Sequence, residues 1–212
     1  HVNCVRPTPD NKYLCAVDLG VDQVKIYKFN HETGKITLVD MLRCELESAP
    51  RIIKFSPDGR FAYLICELKN YISVYSYKDG PRGPVFELLQ TISTLNDYHS
   101  SGSAACVLRF SRDWKYVLCS NAGDNSVGIF KIDRETGMLE KICILPVSGD
   151  YPKAADFFPD NRHIMALNHE SNTMTIFRIN YEKKYFSLWG KPLKVETPNC
   201  VLVSEIEEAP KQ

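Results

Sequence analysis

One template recurs four times in this chain, and its register leaves few folds open. Each copy turns on an aspartate, in Pro9-Asp10, Ser56-Pro57-Asp58, Ser111-Arg112-Asp113 and Pro159-Asp160. Fourteen residues after each aspartate stands an apolar residue, Val24, Ile72, Val127 or Met174, and seventeen after it an aromatic, Tyr27, Tyr75, Phe130 or Phe177. Successive aspartates lie 48, 55 and 47 residues apart. Self-similarity at that period belongs to propeller blades and other stacked arrays. A chain of this kind is a row of like units that bury their faces against one another.

Each unit reads as four strands. In the second, Arg51 to Ser56 and Phe61 to Cys66 are apolar runs flanking the turn Pro57-Asp58-Gly59, so they pair as a hairpin. Tyr71 to Tyr77 alternates as a half-buried strand, and after a Gly/Pro-rich turn Val85 to Ile92 completes the set. The first and third units repeat the plan, with Glu32-Thr33-Gly34 and Glu135-Thr136-Gly137 before the last strand. Helical periodicity is absent. The expected fold is all-β, a β-propeller of four-stranded antiparallel blades.

A single domain over 1–212 is expected, with blades at about 1–48, 49–103, 104–150 and 151–197 and a closing strand at 198–206. That last strand is read from Thr197-Pro198-Asn199-Cys200-Val201-Leu202, which repeats the Ala49-Pro50-Arg51-Ile52-Ile53 start of a first strand. A closed four-bladed ring has no use for it. The chain also opens inside a repeat, so the reading is an arc of a larger ring, a fragment lacking its N-terminal blades.

Composition excludes several classes. Lys plus Arg equals Asp plus Glu at 26 each, so no bulk basic field favours nucleic acid. No apolar run nears the ~20 residues of a membrane helix, and the start lacks signal-peptide character, so a cytoplasmic protein is expected. Cys15, Cys66, Cys119 and Cys143 fall in apolar runs and read as buried reduced thiols, not a disulfide framework. No zinc-type spacing occurs, and neither metal nor cofactor is expected.

Hairpin geometry then locates chemistry. The start of a first strand and the end of a second lie at one edge of a blade, so positions seven before and nine after the aspartate converge. These are Asn3 and Leu19 beside His1, then Arg51 and Glu67, Cys106 and Ala122, and Lys153 and His169. Cations with a carboxylate and imidazoles suit a small anion, because Arg forks onto carboxylate or phosphate and Glu or His moves a proton. The plainer reading is a structural Arg51 and Glu67 ion pair. His31, His99 and His163 read as surface or strand residues, Asp18, Asn121 and Asn168 as braces of the loop after strand two, and Tyr13, Phe61 and Tyr116 as blade packing.

HVNCVRPTPDNKYLCAVDLGVDQVKIY, APRIIKFSPDGRFAYLICELKNYISVY and CSNAGDNSVGIFKID resemble the seven-bladed propeller lactonase family, which includes bacterial 6-phosphogluconolactonase and fungal carboxy-cis,cis-muconate cyclase. The resemblance spans essentially the whole chain and implies a seven-bladed ring with a metal-independent pocket on the face just described. His1 matches the first histidine of a His-x-His signature whose second is Asn3 here, Arg51 the arginine of a Pro-Arg motif, and Glu67 the glutamate ending the next strand. An expected Asn-Arg-Gly turn reads Asn121-Ala122-Gly123, and a later Pro-Arg reads Pro152-Lys153, which softens a fork to a point charge. The implied reaction is hydrolysis of a sugar lactone, with 6-phosphogluconolactone for a phosphorylated one. His1, Arg51 and Glu67 would be catalytic, and Lys153 and His169 would bind the small anionic lactone. Glu67 or His1 would activate water, and His169 or Arg51 would donate to the oxyanion. A noncatalytic propeller binding a small anion or a protein, and a muconate-type cycloisomerase, are the alternatives.

Overall fold

The computed structural model describes residues 1–99 and 101–204. Its strands form four antiparallel sheets in chain order. The first holds β1 (Val2–Pro7), β2 (Tyr13–Asp18), β3 (Gln23–Phe29) and β4 (Ile36–Arg43). The second holds β5 (Pro50–Phe55), β6 (Phe61–Cys66), β7 (Tyr71–Gly80) and β8 (Gly83–Ser93). In the third are β9 (Ala105–Phe110), β10 (Tyr116–Asn121), β11 (Ser126–Ile132) and β12 (Leu139–Pro146). In the fourth are β13 (Pro152–Phe157), β14 (His163–Asn168), β15 (Thr173–Asn180) and β16 (Tyr185–Leu188), with β17 (Leu193–Lys194) also on β15.

The repeated aspartate builds the hairpin turn. In the first three blades a Ser or Thr two residues earlier donates to it, Thr8 to Asp10 at 2.6 Å, Ser56 to Asp58 at 2.6 Å and Ser111 to Asp113 at 2.8 Å. The same hydroxyl oxygen accepts the amide that opens the second strand, from Tyr13, Phe61 and Tyr116. The residue after each aspartate, Asn11, Gly59, Trp114 or Asn161, takes positive φ. Short side chains that bond their own backbone suit such a turn. The fourth blade has Phe158 in place of the hydroxyl, and His163 pairs with Asp160 at 2.5 Å instead.

Three cores lie between successive blades. Cys15, Val17 and Ile26 pack on Ile53, Ala62 and Leu64; Tyr63, Ile65 and Val74 on Leu108, Val117 and Phe130; Leu118 and Ile129 on Ala155, Ile164 and Phe177. β6 is buried at every residue because Ala62 and Leu64 face the first blade while Tyr63 and Ile65 face the third. Tyr71 to Tyr77, expected to be half-buried, is covered on both faces for the same reason, its small Ser73 included. Burial of each large side chain contributes roughly 1.5–3 kcal/mol, so blade stacking is the main adhesive.

The aromatic seventeen after the aspartate marks a bulge. The ladder between third and fourth strands slips at Ile26/Tyr27, Val74/Tyr75 and Ile129/Phe130. The fourth blade breaks its outer strand outright, where Gly190 takes positive φ and Pro192 lacks an amide. Residues 198–204 form no strand, unlike the closing strand expected at 198–206; 205 and 206 lie outside the described residues. A first strand is held by the second strand of its own hairpin, and no described residue supplies one. This segment is held at two points, Pro198 O at the His169 ring and Val203 O at the Arg112 guanidinium.

Candidate functional site

The inner strands β1, β5, β9 and β13 share an irregularity that determines what reaches the axis. Against their partners they pair at Val2 and Cys4, Pro50 and Ile52, Ala105 and Val107, and Pro152 and Ala154. The residue passed over each time is Asn3, Arg51, Cys106 or Lys153, the position seven before the aspartate. Such a bulge adds one unpaired residue and re-aims its side chain. The amide nine after the aspartate closes the edge on the carbonyl two before the bulge, Leu19 on His1, Glu67 on Ala49, Ala122 on Ala104 and His169 on Tyr151, at 2.8–3.0 Å.

Arg51 and Glu67 meet across this edge. Arg51 Nη1 donates to Glu67 Oε2 at 2.5 Å, and Nε donates to the Cys106 carbonyl at 2.9 Å. The Arg51 side chain is 30% exposed and that of Glu67 20%. Among the described residues, Nη2 of the guanidinium and Oε1 of the carboxylate have no hydrogen-bond partner, and both groups remain part-exposed. The Ala105 amide donates to the Glu67 carbonyl, fixing the glutamate's backbone to the third blade.

Lys153 and His169 form a second group. The Lys153 ammonium stands 5.6 Å from the Tyr151 ring centroid, and the Tyr151 and His169 rings are 6.5 Å apart. His169 Nδ1 is 3.3 Å from the Pro198 carbonyl. Cys106 lies between the groups: burial pushes its thiol up, while the Arg51 and Lys153 charges act against that and Glu67 with it. A thiol held neutral is a poor nucleophile. Leu19, the partner position in blade one, and buried Ala122 in blade three carry no polar side chain.

His1 sits at the same end of the first blade, its carbonyl accepting from the Leu19 amide, with an exposed ring. The Lys25 ammonium reaches Asp18 at 2.9 Å. No hydrogen bond or ion pair joins His1 to Arg51 or Glu67 among the described residues. Asn121 and Asn168, read as loop braces, tie strand two to strand three across that loop, through Ser126 and through Thr173 and Thr175, and Asn121 also donates to the Thr94 carbonyl. Tyr151 and Cys106 are the site residues that sequence reasoning did not select. Tyr151 stands nine before its aspartate, the position of His1 in the first blade, and that shared offset is the signal that identifies it.

Four stacked blades, each with a bulged residue at one end of its inner strand and two of those residues cationic, define an arc of a β-propeller. Residues 1–203 match the family model for lactonase, 7-bladed beta-propeller, and the chain belongs to that family. It is 35% identical over 203 residues to an uncharacterized protein of Lactococcus lactis, covering 95% of this chain and 58% of the relative. A 6-phosphogluconolactonase of Bacillus subtilis is 26% identical over 201 residues, 95% of this chain and 56% of its own length. Among solved structures, a periplasmic gluconolactonase of Pseudomonas aeruginosa superposes with TM-score 0.85 at 28% identity, covering 94% of this chain and 56% of that one. A putative 6-phosphogluconolactonase of Bacteroides fragilis gives 0.81 at 29%, with the same coverage. The chain thus spans a little over half the length of the relatives it matches.

Proposed function

We propose that this chain carries part of the active site of a lactonase that opens a sugar lactone bearing an anionic group, with 6-phosphogluconolactone as the substrate. The observation that carries the reading is the Arg51 fork: Nε is pinned by a carbonyl, Nη1 by Glu67, and Nη2 is left for a substrate oxygen. In the proposed reaction Glu67 Oε1 takes a proton from water as its oxygen attacks the lactone carbonyl carbon. Arg51 faces the oxyanion that develops, where a preorganised donor acts most strongly. The carbon to ring-oxygen bond then breaks, and the ring oxygen leaves as a hydroxyl with a proton from His169. Lys153 holds the substrate's anionic group, with Tyr151 ordering both Lys153 and His169. His1 stands as a second proton carrier on the first blade. The chemistry uses side-chain protons and no metal.

The test is turnover of 6-phosphogluconolactone by Glu67→Gln and Arg51→Ala. A positioned acid or base contributes about 10²–10⁴-fold, so each is expected to lose at least a hundredfold. Unchanged turnover in both refutes the assignment. A binding-only propeller is favoured by one observation, the buried methyl of Ala122 at the third blade's site position. Saturable binding of 6-phosphogluconate with hydrolysis at background would establish it. No helix among the described residues is long and apolar enough to cross a membrane. We place the activity in the cytoplasm, a reading supported by eight free cysteines.

A further inference from the structure

A second convergence lies at the opposite end of the same strands. Four before each aspartate stand Arg6, Lys54, Arg109 and Asp156. They are three residues beyond the bulges, about 10 Å toward the turns at ~3.3 Å per residue. All four border one cavity of about 470 Å³, together with Leu202, which holds the equivalent place in the Thr197-Pro198 copy of the template.

The charges around this cavity are unequal. Among the described residues Arg6, Lys54, Arg109 and Arg112 line it against a single carboxylate, Asp156. Arg109 Nε lies 3.5 Å from Asp156 Oδ2, and Arg112 donates to the Val203 carbonyl at 3.2 Å. Arg6 and Lys54 have no hydrogen bond or ion pair among the described residues, and the Lys54 ammonium stands 5.9 Å from the Phe110 centroid. Burial first, then the charges of Arg109 and Arg6, bring Lys54 down to about 8. Gathering cations in a part-enclosed space is costly unless a counter-charge joins them.

We propose that this cavity is a second anion site, separate from the Arg51 edge, that takes a small oxyanion of the phosphate class. Arg6 and Arg109 fork onto its oxygens, and Lys54 supplies a point charge. The shared chemistry is a phosphate group, free or carried on a sugar. Acylation of Lys54 by an N-hydroxysuccinimide ester at pH 8, followed by mass spectrometry of the intact fold, reads occupancy directly. Inorganic phosphate is expected to slow it at least threefold. Slowing by 6-phosphogluconate alone identifies the sugar-borne group, and slowing by neither overturns the proposal. Calorimetry with the ligand that protects gives the second readout. Lys54→Met and Arg6→Gln, the latter at an exposed side chain, are each expected to weaken its binding about tenfold, and Arg51→Ala to leave the protection of Lys54 unchanged. Protection of Lys54 lost in Arg51→Ala, with binding kept in the other two, assigns the anion to the other end and overturns the site.

Discussion

Arg51 and Glu67 act as one unit if the site works as described, and a double-mutant cycle measures that directly. Arg51→Ala removes two charge-assisted contacts, to Glu67 and to the Cys106 carbonyl. A hydrogen bond to a charged group contributes about 1.5–3 kcal/mol when well enclosed, and an exposed ion pair below about 1. With side chains 30% and 20% exposed, the pair falls between these limits. Arg51→Ala is therefore expected to cost about 2 kcal/mol in urea unfolding, with about 1 kcal/mol of it coupling to Glu67. Glu67→Gln should show the same coupling from the other side. In turnover of 6-phosphogluconolactone each single change should lose a hundredfold or more, and the double change no more than about tenfold beyond the worse single, since groups acting together are not additive. Additive stabilities within about 0.3 kcal/mol, with turnover losses that multiply, would show two independent residues and refute the reasoning.

Gly137 and Gly34 share positive φ near 70°, but a methyl at Gly137 would run into the Phe61 ring and one at Gly34 meets nothing within 4 Å. Gly34→Ala should cost about 1 kcal/mol in chemical denaturation and Gly137→Ala about 1–3 more; equal losses would contradict the packing. Lys54 titrates near 8 in the fold against 10.5 free, so it lowers stability fully below pH 8, and that penalty fades as the pH rises toward 10.5. Thermal melts in phosphate-free buffer should therefore find Lys54→Met more stable at pH 7, by up to about 3 kcal/mol, with the gap closing by pH 10.5; a gap independent of pH counts against it. Cys200 is the exposed thiol, while Cys106 is buried and raised by that burial. Ellman's reagent should show a fast phase that Cys200→Ser removes, and a fast Cys106 would contradict the packing.

The count from the aspartate was enough to place Arg51 opposite Glu67, because a hairpin turn of fixed length aligns its two strands residue for residue. It was also enough to identify Lys153 and His169 as a pair at the same edge. It could not show the bulges. An extra residue in a ladder leaves no mark on composition when the slot holds Asn3, Arg51, Cys106 or Lys153, and only the pairing of neighbours exposes it. Tyr71 to Tyr77 reads as half-buried from its alternation alone; stacking between two blades covers both of its faces, Ser73 included. The strand expected after Thr197 failed on the same ground, since strand identity is a property of pairs.

The bulge has a consequence for how such a protein changes. A residue outside the ladder has no backbone partner on the facing strand, so its replacement leaves the surrounding ladder intact. An amide, a guanidinium, a thiol and an ammonium already occupy the four equivalent places on one scaffold. Each blade thus offers one position at the end of its inner strand where the side chain can change with the architecture left as it is.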